Sequence, residues 1–366
     1  MNFFTTDINE IIDSIDKIDP IKYGKTRNHL DGAVTKLSPY ISRGVISTKQ
    51  LAASVLAKKY KPYEIEIFLK ELAWRDYFQQ VWIALKEDIN KDIKHNQPNC
   101  YNTKISSAIA NAKTGIKAID TSIHSLYETG YIHNHSRMYV SSLACNIAKS
   151  HWLPPAQWMY YYLLDADWAS NALSWQWVAG SFSNKKYFAN QENINKYCQT
   201  NQKNTCLDVD YKEFESMATP DVLNDYLSLE LKTNLPKTTS FALDNNLPTY
   251  VYNFYNLDSN WDKNISANRL LLLEPSFFQQ YPVCDKTIHF ILDLAKNINN
   301  IQFYVGEFNE AFNTIDIHKI NYKEHPTNKH YKGIEHKRDW IFEEVQSYYP
   351  SFFSYWKKCE KYLKNW

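Results

Sequence analysis

Glycine is scarce in this chain: there are 8 in 366 residues, and none form a Gly-x-Gly-x-x-Gly run. Any nucleotide it binds is therefore held without the usual dinucleotide loop. The six cysteines (Cys100, Cys145, Cys198, Cys206, Cys284 and Cys359) are scattered, with no Cys-x-x-Cys pair. That excludes the common zinc and iron–sulfur spacings, and no metal site is expected. Scattered cysteines in a chain this long read as reduced thiols of an intracellular protein. No apolar stretch reaches 18 residues, so no membrane span is expected. The first residues carry several acids and no basic flank before an apolar run, so no signal peptide is expected, and the expected location is cytoplasmic.

What is abundant is aromatic. Hydrophobic residues make up 44% of the chain and aromatics 15%, with 27 Tyr and 11 Trp. Seven of those tryptophans lie between Trp74 and Trp177, so the enrichment is local. The net charge is +1, but the halves differ: residues 1–200 carry 23 Lys+Arg against 18 Asp+Glu, and the remainder 18 against 22. The N-terminal half is the better polyanion binder.

Residues 1–200 read as mostly helical. Ile8, Ile11, Ile12 and Ile15 recur at helical spacing. Ser47 precedes Thr48 and Gln50 as a capped start. Residues 64–85 carry a broad apolar face, residues 117–128 and 136–149 form two further helices, and Pro154-Pro155 opens another. Residues 199–205 are rich in Gln, Asn, Thr and Lys and read as a linker. Beyond it, 268–273 reads as a buried strand, 284–295 as an amphipathic helix and 301–305 as a second strand, which makes a small parallel sheet. Residues 337–366 read as helical and aromatic-rich. The division expected is 1–200 and 201–366.

Three stretches carry chemistry. The first runs through Thr114-Gly115, Asp120, Gly130 to Met138 and Asp165 to Trp177. Asp165 and Asp167 can accept hydrogen bonds from ribose hydroxyls, an adenine amine or a flavin ring N–H; taken alone they are an ordinary acidic pair at a helix end. Arg137 follows His133 by four residues, a same-face spacing. The second is Arg27 to Tyr40, whose Thr35 and Ser38 hydroxyls, backbone N–H groups and Lys36 charge can cradle phosphates; taken alone, Leu37-Ser38-Pro39-Tyr40 is a turn before a helix. The third is Glu71 to Phe78, with Glu71, Trp74 and Arg75 on one helix side. Trp74 and Trp177 could equally be core packing.

In order, spacing and residue type, these stretches resemble the FAD-binding domain of the photolyase/cryptochrome family over residues 20–190. The resemblance implies FAD and light-driven electron transfer. It places Asp165 and Asp167 at the flavin and its ribose, and Asn171 at the reactive ring nitrogen as a neutral partner. It pairs Arg137 with Asp165, whose charges neither residue could bury alone. Tyr23, Thr35, Lys36, Leu37, Ser38, Arg75 and Asn134 complete the cofactor set. Glu71, Trp74, Asn134, Met138 and Trp177 match the pocket for a flipped-out pyrimidine dimer, which needs an aromatic plate and a polar edge. Trp175 and Trp152 match the inner members of the electron-transfer chain. The outer member is missing: either Tyr101 substitutes, or Trp158 or Trp168 gives another exit. His133 stands in the helix where enzymes repairing the (6-4) lesion use a histidine, but Met138 favours a cyclobutane-dimer pocket.

The chain departs from the family pattern at Val34, where a threonine is usual, and at Ala189 and His135, where arginines are usual. Losing two cations weakens phosphate attraction; Lys185 and Lys186 are nearby replacements. Family members typically begin with an antenna-binding α/β domain, and this chain starts in the helical part, so a second antenna chromophore is not implied. The fold expected is mainly α: an all-helical FAD-binding domain at 1–200, then a smaller, partial Rossmann-like α/β domain at 201–366, read as a displaced antenna-like module. The function expected is blue-light-driven repair of DNA containing pyrimidine dimers. The alternatives are a cryptochrome-like photoreceptor and a light-independent flavin redox protein.

Overall fold

A computed structural model describes residues 3–238 and 241–363. In space the chain packs into two compact units, and their bounds differ from a division at residue 200. A sheet unit takes 1–21, 35–86 and 232–366; a helical unit takes 22–34 and 87–231. Residues 199–205, read as a linker, instead lie inside the helical unit. Gln202 donates to the Gly115 carbonyl at 2.7 Å and accepts from the Lys117 N–H at 2.8 Å, while Asn195 donates to the Gln202 carbonyl at 2.8 Å. Amide side chains that sequence reads as solvated are here the loop's internal partners.

The sheet unit is built on five parallel strands in the spatial order 301–305, 268–273, 249–252, 320–323, 334–336. The expected parallel pair is present, with Arg269 beside Ile301 and Leu273 beside Val305. The central strands, Thr249–Tyr252 and Asn268–Leu273, are buried along their whole length, as a parallel sheet covered on both faces requires. The Asp285–Ala295 helix supplies the long crossover that parallel neighbours need. One side of the sheet packs Val251, Leu270, Leu272 and Ile320 against Phe308, Phe312 and Tyr331.

Thr48–Ala57 and Glu66–Leu85, from early in the chain, belong to this unit. Ser47 caps Thr48–Ala57 by accepting from the Gln50 N–H at 3.0 Å. Glu66–Leu85 is twenty residues long, and Asp76, Gln79 and Gln80 are buried along with its apolar residues. The stretch read as helical from 337 onward is helical only at Phe352–Cys359; residues 364–366 lie outside the described residues. The preceding segment is held by the long helix instead of by its own turns. Asp76 accepts from the Ile341 N–H at 2.9 Å and the Thr48 hydroxyl at 2.8 Å. Gln80 donates to the Val345 carbonyl and accepts from the Ser347 N–H, both at 3.0 Å. Buried backbone polar groups need such partners.

The helical unit contains Lys117–Thr129, Asn134–Ser142, Leu153–Tyr162, Trp168–Ala179 and Gln191–Cys198. It is not entirely helical: Ile105–Ser106 pairs antiparallel with Tyr226–Leu227. Lys117–Thr129 stops at Gly130, whose φ of +72° favours glycine, and a Cβ there would meet the Leu164 side chain at 2.6 Å. Asp120 fixes the start of that helix's approach, accepting from the Thr114 and Gly115 N–H groups at 2.9 and 3.1 Å.

Candidate functional site

Within the helical unit Arg137 and Asp165 meet, and Asp167 and Asn171 follow on the next helix. Gly130 turns the chain, His133 caps the next helix by accepting from the His135 N–H at 3.1 Å, and Arg137 follows one turn in. Arg137 Nη2 donates to both Asp165 oxygens, at 3.0 and 2.8 Å, and its Nε donates to the Ile132 carbonyl at 3.0 Å. The Asp165 side chain is 5% exposed and that of Arg137 22%, so the pair is an interior one. Asp167 is buried and caps Trp168–Ala179, accepting from the Ser170 N–H at 2.7 Å. Asn171 stands one turn on, also buried, its amide donating to the Ala156 carbonyl at 2.8 Å. Burial pushes the Tyr131 phenol up to about 12, so it stays protonated beside this pair. Two buried carboxylates and a neutral buried amide are groups able to hydrogen-bond a flavin ring or a ribose.

The two inner tryptophans are fully buried. Trp152 is oriented by residues that sequence did not single out: its indole N–H donates to Asp92 at 2.8 Å, and its backbone N–H to Gln97 at 2.7 Å. Nothing local marks Asp92, which lies 60 positions away. Tyr101 is 76% exposed. Trp158 donates to the Tyr127 hydroxyl at 2.9 Å, and Trp168 to Asn90 at 2.8 Å.

The remaining candidates are shared between the units. Tyr23 belongs to the helical unit, and Thr35, Lys36, Leu37 and Ser38 to the sheet unit. Lys36 adopts φ +55° and places its ammonium 4.8 Å over the Phe3 ring. Leu37 is buried, its N–H donating to the Thr35 hydroxyl at 3.4 Å. Ser38 opens a helix of only five residues. The Arg75 guanidinium donates to the Ser42 hydroxyl.

Of the lesion-type residues, Glu71 and Trp74 lie in the sheet unit, and Asn134, Met138 and Trp177 in the helical unit. Asn134 is exposed and Met138 half-buried. Trp177 is 41% exposed, tilted 35° against Tyr187 at 5.9 Å. Trp74 is half-buried, with the Phe352 ring stacked on it at 3.8 Å and 11°. The aromatic run at 348–356 was the available signal for this cover.

Ala189 is buried. His135 is packed between the Tyr139 and Tyr197 rings, at 4.9 and 4.8 Å. Burial, then the neighbouring His133, His29 and Arg27, lowers its pKa to about 4. It is neutral at pH 7 and does not replace the charge of an arginine.

The sequence pattern described as the FAD binding domain of DNA photolyase matches residues 68–208. Over this segment the chain is similar to the photolyase/cryptochrome family. Deoxyribodipyrimidine photo-lyase of Alkalihalophilus pseudofirmus is 29% identical over 154 residues, which are 40% of this chain and 31% of that protein. Cryptochrome DASH of Danio rerio is 31% identical over 175 residues, 43% of this chain and 32% of that one. Cryptochrome-1 of Arabidopsis thaliana is 26% identical over 192 residues, 47% and 27% respectively. The chain thus spans about a third of the length of these photolyase and cryptochrome relatives. A solved class III photolyase from Agrobacterium tumefaciens gives a TM-score of 0.44 at 22% identity, over 52% of this chain and 44% of that one. The family domain implies FAD. Among the described residues, no cluster of His, Cys, Asp and Glu could hold a metal ion, and no helix is long and apolar enough to cross a membrane.

Proposed function

We propose that the chain is a FAD-dependent, blue-light-driven DNA repair protein, a lyase acting on cyclobutane pyrimidine dimers. The observation that carries the flavin part is the buried Arg137–Asp165 pair beside buried Asp167 and Asn171. When bound and reduced, FAD supplies the light-excited electron that opens the dimer. Arg137 and Asp165 orient the ring, Asp167 accepts from the ribose, and Asn171 offers the reactive nitrogen a neutral partner. Tyr23, Thr35, Lys36, Leu37, Ser38 and Arg75 hold the phosphate end. Trp177, accessible over two-fifths of its surface, is a stacking plate for an extruded base; Glu71, Trp74, Asn134 and Met138 are the other residues of the lesion-type set. The strands of the 201–366 segment are the antenna-like counterpart in this reading.

A photoreceptor without repair is the second reading. Phe352 on the Trp74 face and the neutral state of His135 support it. The test is a repair assay: reduced protein, blue light and an oligonucleotide carrying one thymine dimer, read out as restored thymines. Repair supports the lyase; FAD photoreduction with no thymine restored transfers the assignment to the photoreceptor.

A further inference from the structure

We propose that the indole face of Trp74 is a single stacking plate with two competing occupants: Phe352 of the same chain, and a flipped-out pyrimidine of damaged DNA. The proposal rests on the lesion reading of Trp74.

The contact has the geometry of base stacking. Phe352 lies over Trp74 at 3.8 Å and 11°, whereas Tyr77 and Phe78 meet the same indole at 75° and 48°. Edge-on and tilted contacts are ordinary core packing; a near-parallel overlap covers the face a base would use. Phe352 therefore fills the place of a base on this plate.

Phe352 is buried, at 2% exposed, and stands at the start of its helix, where a swing disturbs the fewest helical turns. It is the first helical residue, directly after the cap Ser351, which accepts from the Ser354 N–H at 3.2 Å. The chain before it is irregular from residue 337 to 351 and is held by the Asp76 and Gln80 bonds already described. Further anchors follow it: Tyr355, Trp356 and Cys359 are buried as Phe352 is, and the Lys70 ammonium sits 5.4 Å over the Trp356 ring. A swing of Phe352 uncovers Trp74 while those anchors stay in place. The adjacent Phe353 is 73% exposed and makes an internal control.

The experiment uses the full, FAD-loaded chain in the dark and a fluorescein-labelled oligothymidine with one cyclobutane dimer, against the undamaged strand. Base–aromatic stacking predicts that F352A binds the dimer strand at least about fivefold tighter than the wild type. F353A should match the wild type, and F352A/W74A should lose the gain. In the unmutated protein, amide hydrogens of residues 351–354 should exchange faster once the dimer strand is bound, a readout that does not depend on any variant folding. Dimer binding by the wild type with no gain in F352A, or with unchanged exchange at 351–354, overturns the shared plate and leaves the repair reading standing. No preference for the dimer strand in either wild type or F352A overturns both.

Discussion

One nitrogen of Arg137 bridges both carboxylate oxygens of Asp165, at 3.0 and 2.8 Å, while the neighbouring Nε is spent on the Ile132 carbonyl. The guanidinium is therefore fixed from two sides before any cofactor arrives. Removing it strands a buried carboxylate, a change that costs about 3–5 kcal/mol. R137A is expected to lower the urea midpoint and to emerge from gel filtration without flavin absorbance. D165N, which keeps shape and loses charge, should fall between R137A and the wild type.

A second prediction concerns Asp76. Burial raises its pKa to about 6, against the opposing pull of the Ile341 N–H, Thr48 and two arginines. A carboxyl whose folded pKa exceeds its unfolded value binds more protons in the native state, so its contribution favours folding below about 4 and is lost as pH rises through about 6. The swing is about 3 kcal/mol. Chemical denaturation at pH 4.5 and pH 7 should show it, and D76N should flatten that dependence. D76N also turns an amide N–H toward one of two donors, so it should be less stable than the wild type by about 1–3 kcal/mol at either pH.

The electron-transfer chain gives a third. Trp152 and Trp175 are buried, and Trp152 is oriented by Asp92. W152F and W175F are each expected to abolish blue-light photoreduction of bound flavin while leaving flavin content unchanged. Flavin spectra recorded during illumination with an external reductant check this. Loss of photoreduction in Y101F, W158F or W168F identifies the outer member.

The charge lost at His135 can be weighed against the lysines. A neutral histidine releases no counterions, so H135A should leave the slope of log affinity against log salt unchanged between pH 6 and 8. K185A, which removes an exposed cation, should make that slope shallower by roughly 0.7 for a single-strand contact. Titrations of a dimer-containing strand at several salt concentrations measure both.

How far the sequence carried these conclusions depends on how local each signal was. The cap at Ser47, the long helix near 64–85 and the strands 268–273 and 301–305 were legible because periodicity and capping are written within a few residues. Thr249–Tyr252, Ile320–Lys323 and Ile334–His336 were not: they have four, four and three residues, too short for a periodic signal. The site motifs gave Arg137, Asp165, Asp167 and Asn171 as candidates; the structure pairs Arg137 with Asp165 and buries Asp167 and Asn171. The polar residues that hold distant backbone escaped. Asp76 and Gln80 sit on a helix that reads as amphipathic, and their partners are 265 positions away. A residue type reports that a partner is needed without reporting which one.

The sheet unit is assembled from three separated stretches, the last ending the described chain. On a ribosome, the Glu66–Leu85 helix emerges long before Ile341, Val345 and Phe352 are made, although its Asp76, Gln80 and Trp74 need them. The helical unit is complete once residue 231 has been synthesised. The order of manufacture therefore lets the helical unit fold first, while the long helix waits with an aromatic and polar face uncovered, a surface of the kind chaperones recognise.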